Sequence, residues 1–176
     1  MATLNEYLVQ KKEAAQLRQE KALKQPEQAG VKLQAKVRAL GRSGVREIRI
    51  RDYQIISDSP PDFAGYDLGP SSPELQLGVL GSCLTHITLI QAALRGVSLD
   101  SVDVEVSGEL HALAGKAGFE HIPVHPHNIS YKLHIGSKES AETIAALHEA
   151  VELACPILNL LANPQHIQGE VIIHSS

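Results

Sequence analysis

The segment at residues 77–96, LGVLGSCLTHITLIQAALRG, most limits how this chain can fold, because it contains no charged residue before Arg95. A helix over residues 75–94 would be apolar on all sides, and such a helix must be covered on all sides. Its small and polar residues, Gly78 and His86 among them, favour a buried helix of a soluble protein over a membrane span. One small sheet covers only one side of a helix, so this segment predicts a second copy of the chain packed against it.

The remaining patterns predict an α+β domain in residues 31–176, preceded by an N-terminal helical arm in residues 1–30. The arm has a Thr3–Glu6 capping box at the start of a charged helix over residues 3–24. Hydrophobic periodicity and turn residues then predict, in order, a strand at 31–39, a turn at 41–44, a strand at 45–56 with Ile48 and Ile50 inward, a long loop at 57–73, the apolar helix at 75–94, strands at 102–106 and 129–135, helices at 139–154 and 157–162, and a strand at 167–174.

Charge and cysteine content exclude several classes of function. The 16 basic and 20 acidic residues give a formal net charge of -4, which argues against a nucleic-acid or membrane-surface partner. The first thirty residues show no basic segment followed by an apolar one, so we expect no signal peptide. The two cysteines are typical of a reducing compartment, where a disulfide is transient or catalytic, and they predict a cytoplasmic protein.

Cys83 lies in the middle of the apolar helix. A thiol there gains nothing from the helix N-terminus, and apolar surroundings alone would raise its pKa. Taken by itself, Cys83 is therefore a small buried core residue, and reactivity would require a nearby cation. His86, three positions further on, is interpreted as a core histidine.

Cys155 has a different local setting, because it lies between two predicted helices. Pro156 suits the first position of the second helix, which places Cys155 at the N-cap. The partial positive charge of a helix N-terminus favours a thiolate, so Cys155 is the more acidic thiol on this reasoning, although a core role stays open for it too.

These segments together resemble the OsmC/Ohr family of thiol peroxidases. The resemblance rests on SSPELQLGVLGSCLTH around Cys83, on ACPILNLL around Cys155, on GRSG at residues 41–44 and on the Pro- and Gly-rich loop before Glu74. It covers roughly residues 31–174. The resemblance implies antiparallel sheets packed around long central apolar helices in an intertwined homodimer.

The family resemblance also implies a role for each matching residue. Cys83 would be the nucleophile that attacks an organic hydroperoxide and becomes a sulfenic acid, and Cys155 would close a disulfide that a dithiol reductant of the lipoyl type reopens. Arg42 would hold Cys83 as a thiolate, and Glu74 would orient Arg42. No cofactor or metal is implied.

Two of these assignments have alternatives in the sequence itself. Glu74 stands nine positions before Cys83, one fewer than in the hydroperoxide-reductase branch, and nine residues turn an ideal helix about 180° beyond whole turns. Glu74 could instead complete a capping box with Ser71. Arg42 could be a solvated turn residue, with another arginine of residues 46–51 in its place.

The histidines of HIPVHPHN form a separate cluster. His125 and His127 would face the same side of an extended chain, which is a workable metal pair, with His121 nearby. No further ligand stands at a matching spacing, so a surface loop is the preferred interpretation. The resemblance to the OsmC/Ohr family implies an organic hydroperoxide peroxidase, with a non-catalytic OsmC-like dimer that binds a small apolar ligand as the alternative.

Overall fold

Helices and strands follow one another in the predicted order over most of the chain. The structure, a computed structural model, describes residues 3–174. The helices are α1 (Leu4–Lys24), α2 (Ser72–Arg95), α3 (Ala141–Ala154) and α4 (Pro156–Ala162), and the strands are β1 (Lys36–Ala39), β2 (Arg46–Ile50), β3 (Tyr53–Ser57), β4 (Ser101–Glu109) and β5 (His127–Gly136). Strands β1, β2 and β3 form one antiparallel sheet and strands β4 and β5 another, which confirms the α+β class.

Helix α2 is the uncharged segment, and its ends are fixed by the expected signals. Ser71 is the N-cap and forms a capping box with Glu74. Gly96 ends the helix with a φ of 72°, in the left-handed region where glycine is favoured. By length and hydropathy α2 could cross a membrane, but it packs against α1, α3, α4 and β4, as the core helix of a soluble protein does.

The hydrophobic core lies where these helices meet. Its fully buried side chains come from α2, α3 and the segments after them, and they are Leu80, Leu84, Leu99, Leu147, Val151 and Cys155. Leu8 of α1 joins this cluster and is 5% exposed. The N-terminal helix therefore packs on the core of its own chain. The boundary between an N-terminal arm in residues 1–30 and a domain in residues 31–176 stays a prediction.

The loop before α2 folds around one buried carboxylate. Asp58 is fully buried, and its Oδ2 accepts hydrogen bonds from the backbone N–H groups of Tyr66 at 2.9 Å and Leu68 at 3.2 Å. Burial opposes ionisation, yet the backbone N–H groups of Ser59, Leu68 and Tyr66 and the charge of Arg46 keep the pKa of Asp58 below its ordinary value. This loop thus holds the start of α2 in place.

The single strand predicted at 45–56 is wrong. Arg51 has a φ of 54°, and the chain reverses there to form β2 and β3 as a hairpin. Of the two residues predicted to face inward, Ile48 is half-buried and Ile50 is 38% exposed in one chain, while Glu47 of the opposite face is buried. Glu47 is accommodated because Arg38 and Arg49 both pair with its carboxylate, Arg38 through Nε at 2.7 Å and Arg49 through Nη2 at 3.0 Å.

The apolar side of the first sheet is uncovered in one chain. Val37, Ile48 and Ile55 are aligned across the three strands, and Val37 is 56% exposed. Strand β1 begins only at Lys36, so the strand predicted at 31–39 is shorter than expected. An apolar sheet face of this kind is ordinarily covered by another layer.

No strand forms at residues 167–174, which corrects the last predicted element. Ile167 and Ile173 are each 88% exposed, and the segment has no regular structure. The alternation of apolar residues at 167–174 predicts a strand, but a strand also needs a neighbouring edge for its backbone hydrogen bonds. Within the described part of the chain this segment pairs with none.

Candidate active site

Cys155 lies at the junction between α3 and α4, as its neighbours predicted. It is the C-cap of α3 and the N-cap of α4, and Pro156 is the first residue of α4. The backbone N–H of Cys155 donates to the carbonyl of Val151 at 2.9 Å, and the two helices are bent by 65° at this point. The bend turns the Cys155 side chain into the core, where it is fully buried.

Cys83 meets Cys155 across the core. Their sulfur atoms are 3.5 Å apart, although the residues are 72 positions apart in the chain. Both are free thiols, and Cys83 is the more accessible of the two. A disulfide bond is about 2.05 Å long, so the sulfur atoms need to approach by only about 1.5 Å for a bond to form.

The surroundings of Cys83 in one chain favour the neutral thiol. Burial raises its pKa, and the hydrogen bond and charge of Cys155 raise it further, while the backbone N–H of Ile157 acts in the opposite direction. To react as a thiolate, Cys83 therefore still requires a nearby cation that lowers its pKa, as the sequence analysis predicts.

Arg42 is not at the thiol pair in the single chain. It lies exposed in the turn between β1 and β2, where Gly41 has a φ of 57°. Among residues 3–174 no hydrogen bond or ion pair involves its guanidinium. Its assigned role as the activating cation stays a prediction.

Glu74 completes the capping box that the sequence offered as its alternative role. Its Oε2 accepts hydrogen bonds from the backbone N–H of Ser71 at 2.7 Å and from the Ser71 hydroxyl at 2.6 Å, and these bonds lower the pKa of Glu74. Glu74 lines a groove with Gly78 and Ser82, beside β4. Cys83 packs instead on the side of α2 that meets the core, so the two side chains lie on different faces of α2.

Sequence reasoning missed a polar cluster close to Cys155. The Tyr131 hydroxyl lies 2.7 Å from Nε2 of His148 and 2.8 Å from Oε1 of Glu152. The spacing of His148, Glu152 and Cys155 is i, i+4, i+7, which is one face of a helix and was the signal available in the sequence. This cluster lies at a groove of about 830 Å³ between β5 and α3, whose walls are mainly apolar.

The other histidines lie away from the thiols. His125 lies in the exposed segment that leads into β5, whereas His127 is the first residue of β5 and lies 3.9 Å from the carboxylate of Glu109. Within residues 3–174 no three His, Cys, Asp or Glu side chains are grouped closely enough to hold a metal ion. His86 is exposed on α2, so its interpretation as a core histidine is wrong.

Comparisons with known proteins identify the family of the chain. A family model described as OsmC-like protein matches residues 65–170. A solved OsmC-like protein from Mycoplasma pneumoniae superposes with a TM-score of 0.64 and 19% identity, over 75% of this chain and 88% of that one. An organic hydroperoxide resistance protein OsmC from Legionella pneumophila gives a TM-score of 0.54 and 18% identity, over 74% of this chain and 89% of that one. A search of curated proteins finds no match.

Proposed function

Because the chain belongs to the OsmC-like protein family, we propose that it is a cysteine-based peroxidase that reduces organic hydroperoxides. The observation that carries this proposal is the 3.5 Å separation between the sulfur atoms of Cys83 and Cys155. Two free cysteines that meet across a core of aliphatic side chains are positioned to form and break a disulfide. The similar Legionella pneumophila structure is that of an organic hydroperoxide resistance protein, which supports the substrate class.

The proposed reaction has three steps. The Cys83 thiolate attacks the distal oxygen of the hydroperoxide, an S–O bond forms as the O–O bond breaks, and the departing alkoxide takes a proton from solvent to become the alcohol. The sulfur of Cys155 then displaces the hydroxyl of the Cys83 sulfenic acid, which gives the disulfide and water. A dithiol reductant of the lipoyl type reopens the disulfide and is itself oxidised to a disulfide. This cycle begins and ends with both cysteines reduced, which is the state that the cytoplasm maintains, and we therefore propose a cytoplasmic location.

In this proposal a homodimer supplies the cation that the single chain does not place near Cys83. The apolar face formed by Val37, Ile48 and Ile55 is uncovered, and the turn that bears Arg42 belongs to the same sheet. Covering this face with a second copy would bring an Arg42 guanidinium to Cys83 and lower its pKa. Glu74 keeps its proposed role of orienting Arg42 only if the dimer brings Arg42 between Glu74 and Cys83, because these two side chains of one chain lie on different faces of α2.

A non-catalytic role remains the second candidate. It is favoured by the raised pKa of Cys83 in one chain and by the mainly apolar groove between β5 and α3. In that case the thiols would be core residues, and a small apolar molecule would bind to the dimer.

Free-thiol titration separates the two candidates. The reduced protein is titrated before and after one equivalent of cumene hydroperoxide, with hydrogen peroxide in parallel and Cys83→Ser as the control. The peroxidase proposal predicts rapid loss of both thiols with the organic peroxide and no loss of Cys155 in the variant. Thiols that stay reduced contradict it, and the ligand should then be sought by mass spectrometry of the purified protein.

A further inference from the structure

Positive charge is concentrated in one short part of the chain. Residues 31–51 contain seven of the 16 basic residues but only one of the 20 acidic ones, whereas residues 52–176 contain four basic and 15 acidic residues. The first segment therefore carries a net charge of +6 and the second a net charge of -11, within a chain whose formal net charge is -4. Charge asymmetry of this size indicates a surface that meets a negatively charged partner.

The first sheet gathers part of this positive charge on one face. Lys36 of β1 stands directly opposite Arg49 of β2. Two positions along, Arg38 stands directly opposite Glu47. Successive side chains of a strand alternate between the two faces of a sheet, so these four share one face and Val37 lies on the other. The four side chains line a shallow pocket of about 260 Å³. A second copy that covers the apolar face would leave this basic face open to solvent.

Glu47 fixes the two arginines of the basic face. Its side chain is only 6% exposed, whereas those of Arg38 and Arg49 are 64% and 47% exposed, so the guanidinium groups lie outside the carboxylate. Arg38 uses Nε and Arg49 uses Nη2 for Glu47, and each guanidinium keeps N–H donors for a further acceptor. A carboxylate that holds both guanidinium groups in place reduces the entropy that they lose on binding an anion.

The charge of Glu47 does not account for the number of cations around it. One cation would balance one carboxylate, but three cations line the pocket with Glu47. Within residues 3–174 Lys36 makes no ion pair, and the residue directly opposite it is Arg49. Like charges directly opposite each other destabilise an antiparallel pair of strands. The basic face therefore carries excess positive charge that a bound anion would neutralise.

The side chains of this face favour carboxylates of a polypeptide over a nucleic acid. A guanidinium binds a carboxylate through two parallel N–H donors, and two guanidinium groups lie together here. Proteins that bind single-stranded nucleic acid stack its bases on aromatic side chains, but β3 contributes Gln54 and Ile56 to this face. A long phosphate backbone would also be repelled by the negative charge of residues 52–176.

We propose that the basic face formed by Lys36, Arg38 and Arg49 docks an acidic segment of a partner protein. One carboxylate of the partner accepts hydrogen bonds from the free N–H groups of Arg38 and Arg49, and a second carboxylate pairs with Lys36. Because most of the remaining chain is acidic, attraction is confined to this face and orients the partner on the sheet. This docking does not require the cysteines, so it is independent of the proposed peroxidase activity.

Fluorescence anisotropy with a rhodamine-labelled peptide of ten glutamates tests this docking. Wild-type protein should bind the peptide at low salt, and added salt should weaken binding. Arg38→Lys combined with Arg49→Lys keeps every charge but removes both guanidinium groups, and it should weaken binding about tenfold. Lys36→Gln removes one exposed charge and should weaken binding about threefold.

The matched control is Arg18→Gln on the exposed side of α1, which changes the net charge by the same amount as Lys36→Gln and should bind like wild type. Thermal unfolding checks that each variant is folded, and Lys36→Gln still tests the face if the double variant unfolds. The proposal is wrong if wild-type protein does not bind the peptide, or if Lys36→Gln and Arg18→Gln weaken binding equally. Tighter binding of a ten-nucleotide thymidine strand than of the peptide would also overturn it.

Discussion

The cysteine pair and the arginine turn differ in how much of their surroundings one chain supplies. Cys83 and Cys155 are enclosed by α2, α3 and α4, and their sulfur atoms are already 3.5 Å apart. Arg42 lies in an exposed turn of a sheet whose apolar face is open. One chain therefore positions the thiols for a disulfide but does not provide the charge that would activate them. Under the proposed function, the helical core would form the disulfide and the assembled dimer would activate the thiol.

The largest effect is expected from removing either thiol. Cys83→Ser should abolish reaction with organic hydroperoxide, because it removes the nucleophile. Cys155→Ser should keep the first step and accumulate a dimedone-reactive sulfenic acid at Cys83, since nothing closes the disulfide. Peroxide consumption in a single turnover and mass spectrometry of the trapped product check both variants. Equal loss of the first step in the two variants would contradict the separate roles.

Substitution of buried residues in the helical core should strongly lower the free energy of unfolding. Leu147→Ala removes a fully buried side chain of the core cluster that contains Cys155 and should lower the free energy of unfolding by about 2–5 kcal/mol. Leu153→Ala, on the same helix but 84% exposed, should change it by less than about 0.5 kcal/mol. Urea denaturation measures both. Similar losses would mean that α3 is covered on the Leu153 side as well.

Removing the proposed cation, Arg42, should change the reactivity of the Cys83 thiol and leave the free energy of unfolding nearly unchanged. A cation near a thiol lowers its pKa by about one to three units, so Arg42→Ala should cut the thiolate fraction at neutral pH about 10- to 1000-fold. The pH dependence of Cys83 alkylation measures this pKa, and the comparison variant is Arg18→Ala on the exposed side of α1. An unchanged alkylation profile in Arg42→Ala would remove Arg42 from the site.

The smallest effect is expected at the start of α2. Ser71→Ala removes the N-cap partner of Glu74 and should cost about 1 kcal/mol of stability. Because the Ser71 bonds lower the pKa of Glu74 below its ordinary value of 4.5, their stabilisation is present above that pH and is lost as the pH falls through the folded pKa. Thermal unfolding of wild type and variant should therefore converge in acid. A difference that persists there would assign the effect to the hydroxyl alone.

Local signals in the sequence predicted the helices better than the sheets. Capping residues, Gly96 and the charge-free run defined α2, and Pro156 placed Cys155 at the junction of α3 and α4. The strand at 45–56 was misread because a left-handed Arg51 carries no sequence signal as strong as glycine. The strand at 167–174 was misread because its pairing depends on a neighbour that the alternation does not specify.

The candidate site, too, could be predicted from local sequence signals only in part. The meeting of Cys83 and Cys155 followed from family resemblance and not from spacing, because residues 72 positions apart carry no local signal of contact. The cluster around Tyr131 was readable in part, since His148 and Glu152 stand one helical turn apart. That Tyr131 meets them depends on how β5 packs on α3, which only the tertiary structure supplies.

Mapping the disulfide tests the central claim most directly. The reduced protein is treated with one equivalent of cumene hydroperoxide, alkylated under denaturing conditions, digested without reductant and analysed by mass spectrometry. We expect one linked peptide pair that joins Cys83 to Cys155 within the same chain. Alkylated Cys155 beside an overoxidised Cys83, or a Cys83–Cys83 link between two chains, would contradict it.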